Sequence, residues 1–577
     1  MSKTTETDPS NKTQSKLYIR SEVLAVIQHL NSLSSPSKAE RLKQIKRLRA
    51  LGQGQDNGQL LCHVQDILLG ELTRATQREL ITLVSELLME LGDGVYLNDR
   101  LWDIIRNPDV PDAVKDACNL ILRHLGDTAD PELYLEYLQD PQALINQETT
   151  RMISASGENP ETLIDFIDFI LSLNGDDQAR LVSSLHRDYA SKELVDMFVP
   201  LLESDPSPEL WEVLVDSLGE TKSPKAARSL QWLLTWGRKD EVQEGFKGQL
   251  PIDERRLEKA LKSLQLAGAV GQLDIAPDEV IIETGHPVLA QSLPHNCYAT
   301  MPDGIGNQGL LYSRRRENGD VSLFCLAIND VHGVIDCFGF YQLAEPDFHR
   351  IMEKFHEGTS KVVVEPEYII AKVIAAETIN RQKKYRLPYE YQCWRPLLGG
   401  VKPMSEGHLD RYKQWANLDW LPETYNLYQH PDFNTWFLEQ GDEDVATTEL
   451  AEAMATVQSA LPTIGQTFQA LMDQLDASAD RMMAALLQTP WRQQLQRRLQ
   501  ESAYLLHCQE AATFCKLAAT EALKLEQEQA SEKLVSGFVQ AYGRRCLLEA
   551  LLRDRTGSVD YEALTELIKA LEARWGL

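Results

Sequence analysis

One stop-and-restart pattern most constrains the fold of this chain: leucine-rich segments with helical periodicity end at Leu-Gly-acidic triplets, and new segments begin behind a proline. Glycine can adopt the left-handed conformation that closes a helix, and proline suits the first helical position because its missing N–H would be unpaired there. The stops are Leu91-Gly92-Asp93, Leu125-Gly126-Asp127 and Leu218-Gly219-Glu220, and the starts are Asp130-Pro131, Asn159-Pro160, Ser207-Pro208 and Ser223-Pro224. The pattern predicts stacked helical hairpins, an α-solenoid, over residues 17–265.

The turn that runs from Leu218 to Pro224 carries a family resemblance. Its sequence, Leu-Gly-Glu-Thr-Lys-Ser-Pro, resembles the Leu-Gly-Asp-x-x-x-Pro turn of HEAT-type repeats. The resemblance implies a HEAT-like solenoid, an architecture that presents a long surface to other macromolecules. Acidic residues in this region make a basic segment of another protein the expected partner: Asp165, Asp168, Asp176 and Asp177.

Composition narrows the class of protein further. The net charge of −28 over 577 residues repels phosphate backbones and anionic lipid surfaces, so neither nucleic acid nor a membrane is an expected partner. Residues 1–16 contain no apolar core, which is typical of a short disordered tail rather than a signal peptide. The nine cysteines include no Cys-x-x-Cys pair, so no structural zinc, redox dithiol or other cofactor is expected, and a reducing cytoplasm is the simplest compartment.

The texture of the chain changes near residue 270. Three segments rich in β-branched and aromatic residues predict an antiparallel meander, and Asn318-Gly319 predicts the first hairpin turn. A helix, a further strand and a longer helix follow, which completes an α+β domain over residues 270–400. The predicted strands are 309–316, 321–329, 334–340 and 361–364, and the predicted helices are 347–356 and 366–386.

The remaining chain divides by composition into two parts. Residues 401–442 are rich in tryptophan, tyrosine and phenylalanine, and we interpret them as a connecting arm packed across neighbouring domains. Residues 443–577 show helical periodicity and predict a C-terminal helical domain, in which 493–525 form one long helix or two. The predicted fold class is therefore mainly α, with a solenoid, a central α+β domain and a helical C-terminal domain.

A second resemblance covers roughly residues 295–400. It rests on Asp303-Gly304-Ile305-Gly306-Asn307, Leu310-Leu311-Tyr312-Ser313-Arg314, Ala327-Ile328-Asn329-Asp330 and Gly333-Val334-Ile335-Asp336. These segments resemble uncharacterised bacterial proteins in which degenerate helical repeats precede an α+β domain. The resemblance implies an architecture and no activity.

The α+β domain also holds the densest group of metal-type side chains. Asp330, His332 and Asp336 lie at a predicted turn, and with His349 or Glu365 they have the chemistry that Mn, Fe or Zn ligands require. The alternative interpretation is a structural turn, because Asn-Asp followed by glycine is ordinary turn chemistry. The loop Asp303-Gly304-x-Gly306-Asn307 similarly permits either a backbone anion nest or a plain loop.

The hypothesis that fits most of these observations is a cytoplasmic interaction scaffold or adaptor that binds other proteins through its repeat surface. The alternative is a metal-dependent hydrolase in which Asp330, His332, Asp336 and Glu365 are the catalytic candidates. Convergence of those side chains on a common point would separate the two hypotheses.

Overall fold

A computed structural model describes residues 9–33, 36–52, 59–92, 94–126, 133–189, 191–204, 206–237, 253–269, 280, 285–354, 360–438, 443–461, 464–527, 536–554 and 561–576. The described residues are mainly helical and include a six-stranded sheet. The chain forms two compact units, of which the first comprises Met1–Ser156, Arg316–Val321 and Gln342–Phe348, and the second comprises Gly157–Arg315, Ser322–Tyr341 and His349–Leu577. Within the described ranges, every helix is too short or too polar to cross a lipid bilayer.

The first unit is helical around one apolar core that extends from Ile19 to Leu122. Helices α1, α3 and α5 contact one another in turn, as do α2, α4 and α6. Helix α1 begins at Pro9, within the segment 1–16 that the sequence predicts as a tail, and residues 1–8 lie outside the described residues. The helices are α1 (Pro9–Ser32), α2 (Lys38–Gly52), α3 (Gln59–Arg74), α4 (Arg78–Leu91), α5 (Gly94–Arg106), α6 (Asp112–His124) and α7 (Pro141–Ser156), with a 3-10 helix at Leu133–Tyr137.

In the described part of the chain, the second unit begins with six helices that also alternate in contact. Helices α9, α11 and α13 touch in turn, and α8, α10 and α12 touch in turn. Ser207 begins α11 as the sequence predicts, because its hydroxyl accepts a hydrogen bond from the Leu210 N–H at 3.2 Å. The helices are α8 (Pro160–Ser172), α9 (Gly175–Asp188), α10 (Ser191–Glu203), α11 (Pro208–Gly219), α12 (Pro224–Gly237) and α13 (Glu254–Leu266).

The three predicted helix-ending glycines have two different roles. Gly126 follows α6 with φ +84°, the left-handed conformation expected of it. Gly92 has φ −67°, and a Cβ atom there would lie 2.6 Å from the Leu125 side chain. A Cβ atom on Gly219 would lie 2.9 Å from the Cβ of Ala260 on α13. The last two glycines therefore allow close packing, which local sequence does not reveal.

The strand-rich part confirms the predicted meander. The sheet has the order β5-β4-β3-β2-β6, and β1 pairs with β3. The two short strands β1 and β2 were not predicted, and β2 lies between β3 and β6, with Tyr298 opposite Leu311 and Cys297 opposite Val364. The elements are α14 (Pro287–Ala290), β1 (Ser292–Pro294), β2 (Cys297–Thr300), β3 (Asn307–Arg316), β4 (Val321–Asn329), β5 (Gly333–Leu343), α15 (Glu345–Lys354), β6 (Lys361–Val364), α16 (Pro366–Lys383) and α17 (Tyr389–Trp394).

The chain after α17 begins with short 3-10 segments and continues in helices. The 3-10 segments are Arg395–Leu398, Glu406–Arg411, Leu418–Gln429 and Pro431–Thr435, and the helices are α18 (Tyr412–Trp415), α19 (Asp444–Ala460), α20 (Ile464–Leu486), α21 (Trp491–Cys508), α22 (Ala512–Gln527), α23 (Gly537–Asp554) and α24 (Tyr561–Trp575). The predicted segment 493–525 is thus two helices, and Glu510 lies between them with φ 60°.

A single hydrophobic core joins the parts that the sequence divides at residues 400 and 442. It extends from Cys297 in β2 through the aromatic segment to Trp575 in α24. Phe433 and Trp436 are fully buried in it, and the segment Leu418–Gln429 packs on α22 and α23. The predicted boundaries therefore do not separate independent cores: the aromatic segment is an internal layer of the second unit.

Candidate functional site

Asp330, the first of the sequence-predicted site residues, forms a bidentate ion pair with Arg498 of α21. The Arg498 Nε lies 2.7 Å from Asp330 Oδ2, and Nη2 lies 2.8 Å from Oδ1. Arg498 also donates to the carbonyl oxygen of Gly304, and its side chain is only 4% exposed. Both carboxylate oxygens of Asp330 are therefore committed to holding a C-terminal helix against the loop of residues 303–307.

The loop of residues 303–307 is filled by its own aspartate. The Asp303 Oδ1 accepts from the N–H groups of Ile305 (3.1 Å) and Asn307 (2.7 Å), so these donors do not form an empty anion nest. Gly306 has φ +90°, and a Cβ atom there would lie 1.9 Å from Asp330 Oδ1. Glycine at 306 is thus required both by backbone conformation and by the close approach of the ion pair.

The other three predicted site residues are exposed and have different contacts. His332 is exposed, with its ring centroid 5.6 Å from that of Tyr385. The exposed Asp336 accepts from the Cys337 N–H at 2.8 Å, and the exposed Glu365 occupies the N-cap position of α16 without a side-chain cap bond. Among all described residues, which include these four and the exposed His349, no three His, Cys, Asp or Glu side chains are arranged to hold a metal ion.

A buried polar chain lies beside the Asp330 pair, between α16 and α21. Glu501 is 4% exposed, and its carboxyl group accepts from the Tyr368 hydroxyl and lies 3.2 Å from the Lys372 ammonium nitrogen. Burial raises the pKa of Glu501 and lowers the pKa of Lys372, while the nearby Asp330 carboxylate raises both. Buried acids and bases with shifted pKa values occur both in enzyme sites and in internal ion-pair networks.

Replacing Glu501 with glutamine should flatten the pH dependence of stability. A carboxyl group whose pKa is raised on folding stabilises the fold fully below its unfolded pKa and loses that contribution as pH rises toward the folded pKa. The free energy of unfolding of the native protein should therefore fall by up to about 1.4 kcal/mol per pH unit above about pH 5 through this group. Urea unfolding from pH 5 to 9 measures it, with the exposed Glu367→Gln as control. Parallel pH profiles for native protein and Glu501→Gln would contradict the assignment.

A second buried network joins the α8–α13 helices to the sheet region. Glu377 of α16 is fully buried and accepts from Arg381 (2.7 Å), Arg395 (2.7 Å) and the Tyr391 hydroxyl (2.7 Å). Burial alone would raise its pKa, but the Arg395 and Arg381 guanidinium groups together lower the pKa of Glu377 to about 2. This carboxylate is therefore charged at every physiological pH.

The same network reaches across to α10 and α12. The Arg381 guanidinium lies 5.5 Å from the ring centroid of Trp232 on α12, and the buried Glu203 of α10 accepts from the Ser229 hydroxyl at 2.7 Å. Burial raises the pKa of Glu203, and the charge of Arg381 opposes that rise. Helices α8 and α10 also contact α17. We call helices α8–α13 the helical arm. The layer of this arm that comprises α8, α10 and α12 is therefore packed against the chain's own α+β part.

Four charged residues of these networks were not predicted from the sequence: Arg498, Glu501, Lys372 and Glu377. Each lies in a helix whose periodicity places it among buried apolar residues. A charged residue at such a position is the sequence signal that could have identified it. Comparisons of the chain with protein-family models, with curated proteins and with solved structures find no match.

Proposed function

We propose that this protein is a protein–protein interaction scaffold or adaptor whose HEAT-like arm binds a basic segment of another protein. The observation that carries the proposal is the alternation of contacts, in which each helix from α8 to α11 touches the helix two places later. Nearest-neighbour stacking of this kind is typical of α-solenoids, whose outer and inner surfaces are used for binding. All nine cysteines are free thiols, which supports the proposal that the protein functions in a reducing cytoplasm.

The surface best suited to a basic partner is an acidic stripe on α11. Its four residues are all exposed and follow one another at intervals of three and four positions, which places the first three on one face of α11 and the fourth at its C-cap position, 2.9 Å from the His186 Nε2. Arg256 of α13 lies 2.5 Å from the second and 3.8 Å from the third of them. The acidic stripe comprises Glu209, Glu212, Asp216 and Glu220.

The acidic residues first singled out from the sequence contribute less to such a surface. Asp168 accepts a hydrogen bond from Tyr389 on α17, in the layer that faces the chain's own α+β part. Asp165 is exposed on α8, whereas Asp176 and Asp177 lie on α9, in the same layer as the acidic stripe, where Asp177 pairs with Arg180 at 3.2 Å. The proposed interface is therefore the layer of α9, α11 and α13 rather than that of α8, α10 and α12.

Neutralising the acidic stripe should abolish partner binding without changing the fold. In Glu209→Gln/Glu212→Gln/Asp216→Asn/Glu220→Gln, the surface loses four charges, and attraction to a basic segment depends on charges within roughly 8 Å at physiological ionic strength. Crosslinking in native lysate followed by mass spectrometry, at low and at high salt, measures the partners recovered. Partners of the native protein should be lost from this variant and should also be lost as salt increases.

A matched control removes four exposed acidic residues elsewhere in the second unit. In this control the partners of the native protein should remain, because the acidic stripe is intact while the net charge changes by the same amount as in the stripe variant. Recovery of the same partners by both variants would place the interaction outside the acidic stripe. The control residues are Glu353, Glu367, Glu423 and Glu562, each replaced by glutamine.

A further inference from the structure

A pocket of about 320 Å³ lies in the C-terminal part of the second unit. Its walls come from the 3-10 segments Leu418–Gln429 and Pro431–Thr435, from α23 and from the end of α24. The volume falls at the lower end of the range of roughly 300–1,000 Å³ that small-molecule sites occupy. The polar residues that line it are Gln429, Asn434, Gln540, Arg544 and Arg545, and the aromatic ones are Tyr425, Tyr428 and Trp575.

The charge of the lining is opposite to that of the chain. Of the described residues, two arginines and no carboxylate line the pocket, although the protein has a net charge of −28. Asp476, which lies 3.5 Å from the Nε of Arg544, already accepts from the Trp575 Nε1 at 2.6 Å and lies 2.6 Å from Arg574. Arg544 is therefore the most distant of three donors on that carboxylate.

The two lining guanidinium groups have donors to spare. Arg545 pairs with Glu549 at 2.7 Å through Nη2, while its Nε is buried without a hydrogen-bond partner. The Nε of Arg544 is also buried; it faces Asp476 at 3.5 Å and makes no hydrogen bond within the described residues. A guanidinium group carries five N–H donors in a planar fork that matches the oxygens of a carboxylate or phosphate. An oxyanion in this pocket would bind to guanidinium N–H groups of Arg544 and Arg545 other than the two buried Nε atoms.

The aromatic walls are held in position by other contacts. The Tyr428 hydroxyl donates to the Trp436 carbonyl oxygen at 2.7 Å, and its ring stacks on Phe538 with centroids 5.5 Å apart. The Trp575 indole is fixed by its bond to Asp476, and Tyr425, which is 51% exposed, offers its ring at the rim. Rigid aromatic surfaces beside cationic groups suit a ligand that has both a flat ring and a negative charge.

We infer that this pocket binds a small organic anion that carries one carboxylate or phosphate group on an aromatic ring. The oxyanion is held by Arg544 and Arg545, and the ring lies against Tyr425, Tyr428 or Trp575. This site is independent of the acidic stripe on α11, so either proposal can fail without the other.

Isothermal titration of the full chain with phenyl phosphate, benzoate, inorganic phosphate and the neutral benzamide tests the inference. We expect both ring-bearing anions to bind more tightly than inorganic phosphate, and benzamide to bind at least about tenfold more weakly than benzoate, because charge-assisted hydrogen bonds are about twice as strong as neutral ones. Dissociation constants above about 1 mM for all three anions, or equal affinity for benzoate and benzamide, would overturn it.

Two variants locate the binding, and a third serves as the control. Arg545→Gln removes a lining cation, and Gln540→Glu adds a negative charge to the lining without touching either ion pair. Each should weaken phenyl phosphate binding by about tenfold or more. Arg497→Gln, an exposed arginine on α21, makes the same change of charge outside the pocket and should bind as the native protein does. Unchanged affinity in Gln540→Glu, with an unchanged thermal midpoint, would place the ligand elsewhere.

Discussion

Replacing Glu377 with alanine should lower the free energy of unfolding of the second unit by about 3–5 kcal/mol. Its two carboxylate oxygens accept from Arg381, Arg395 and Tyr391, and the carboxylate itself is fully buried. Both arginine side chains are only 16% exposed. Removal of the carboxylate leaves two cations in a poorly solvated place, and that uncompensated charge is the main cost.

Urea unfolding followed by intrinsic tryptophan fluorescence measures the effect, with Glu367→Ala as the matched control. Glu367 lies on the same helix and is exposed, so its replacement should change the free energy of unfolding by less than about 1 kcal/mol. Glu377→Gln keeps the shape of the side chain and should fall between the control and Glu377→Ala. Equal stability of Glu377→Ala and Glu367→Ala would show that the Glu377 network does not hold helices α8–α13 and the sheet region together.

The same carboxylate predicts a pH dependence of opposite sign to that of Glu501. A pKa lowered on folding contributes stability that is present above the unfolded carboxyl pKa and is lost as pH falls toward about 2. Glu377 therefore stabilises the second unit throughout the neutral range and ceases to do so in acid. Glu501 acts at higher pH and in the opposite direction, because burial rather than an arginine dominates its pKa.

Local signals predicted the sheet region well. Strands β3, β4, β5 and β6 agree with the predicted segments to within about three residues, and Gly319 adopts φ +88° at the predicted hairpin turn. These features depend on neighbours in sequence: alternation of side chains within a strand and a residue that tolerates positive φ. The short strands β1 and β2 were missed because three or four residues carry too little pattern.

Helix caps also show that a short sequence pattern can fail to predict local structure. Thr76 and Glu79 match a capping box, yet α4 begins at Arg78 and its N-cap is Gln77, without a side-chain cap bond. Asn159, by contrast, caps α8 through the Glu161 N–H at 3.0 Å, with Pro160 in the first turn. Proline fixes the backbone of the first helical residue, so it marks a helix start more reliably than a spacing of polar side chains does.

The candidate site was only partly predictable because its partners are distant in sequence. The sequence singled out Asp330, but the arginine that binds it lies 168 positions later in a different predicted domain. Glu377 and Glu501 each lie on the buried face of a helix. The buried neighbours of Glu377 on α16 include Val373, Ala376 and Asn380, and those of Glu501 on α21 include Arg498, Ser502 and Leu505. Periodicity places such residues inside the protein, but it does not identify the charges that compensate them.

The interpretation of Asp330 as a structural rather than a catalytic residue leads to a second large expected effect. Replacing Arg498 with methionine should lower the free energy of unfolding by about 3 kcal/mol, the lower end of the cost of breaking a buried ion pair. The Asp330 side chain is 29% exposed, so water relieves part of the unpaired charge. The Gly304 carbonyl oxygen loses its Arg498 donor and keeps the Tyr542 hydroxyl at 3.2 Å.

The adjacent residue provides the control. Arg497 is exposed on the same helix, so Arg497→Met should leave the urea midpoint nearly unchanged, whereas Arg498→Met should lower it clearly. In the double variant Asp330→Leu/Arg498→Met, no charge is left unpaired, and part of the lost stability should return because apolar replacement of both partners is often close to neutral. A double variant less stable than the sum of the two single changes predicts would mean that Asp330 has a further partner. In that case Asp330 would again be a catalytic candidate under the metal-dependent hydrolase hypothesis.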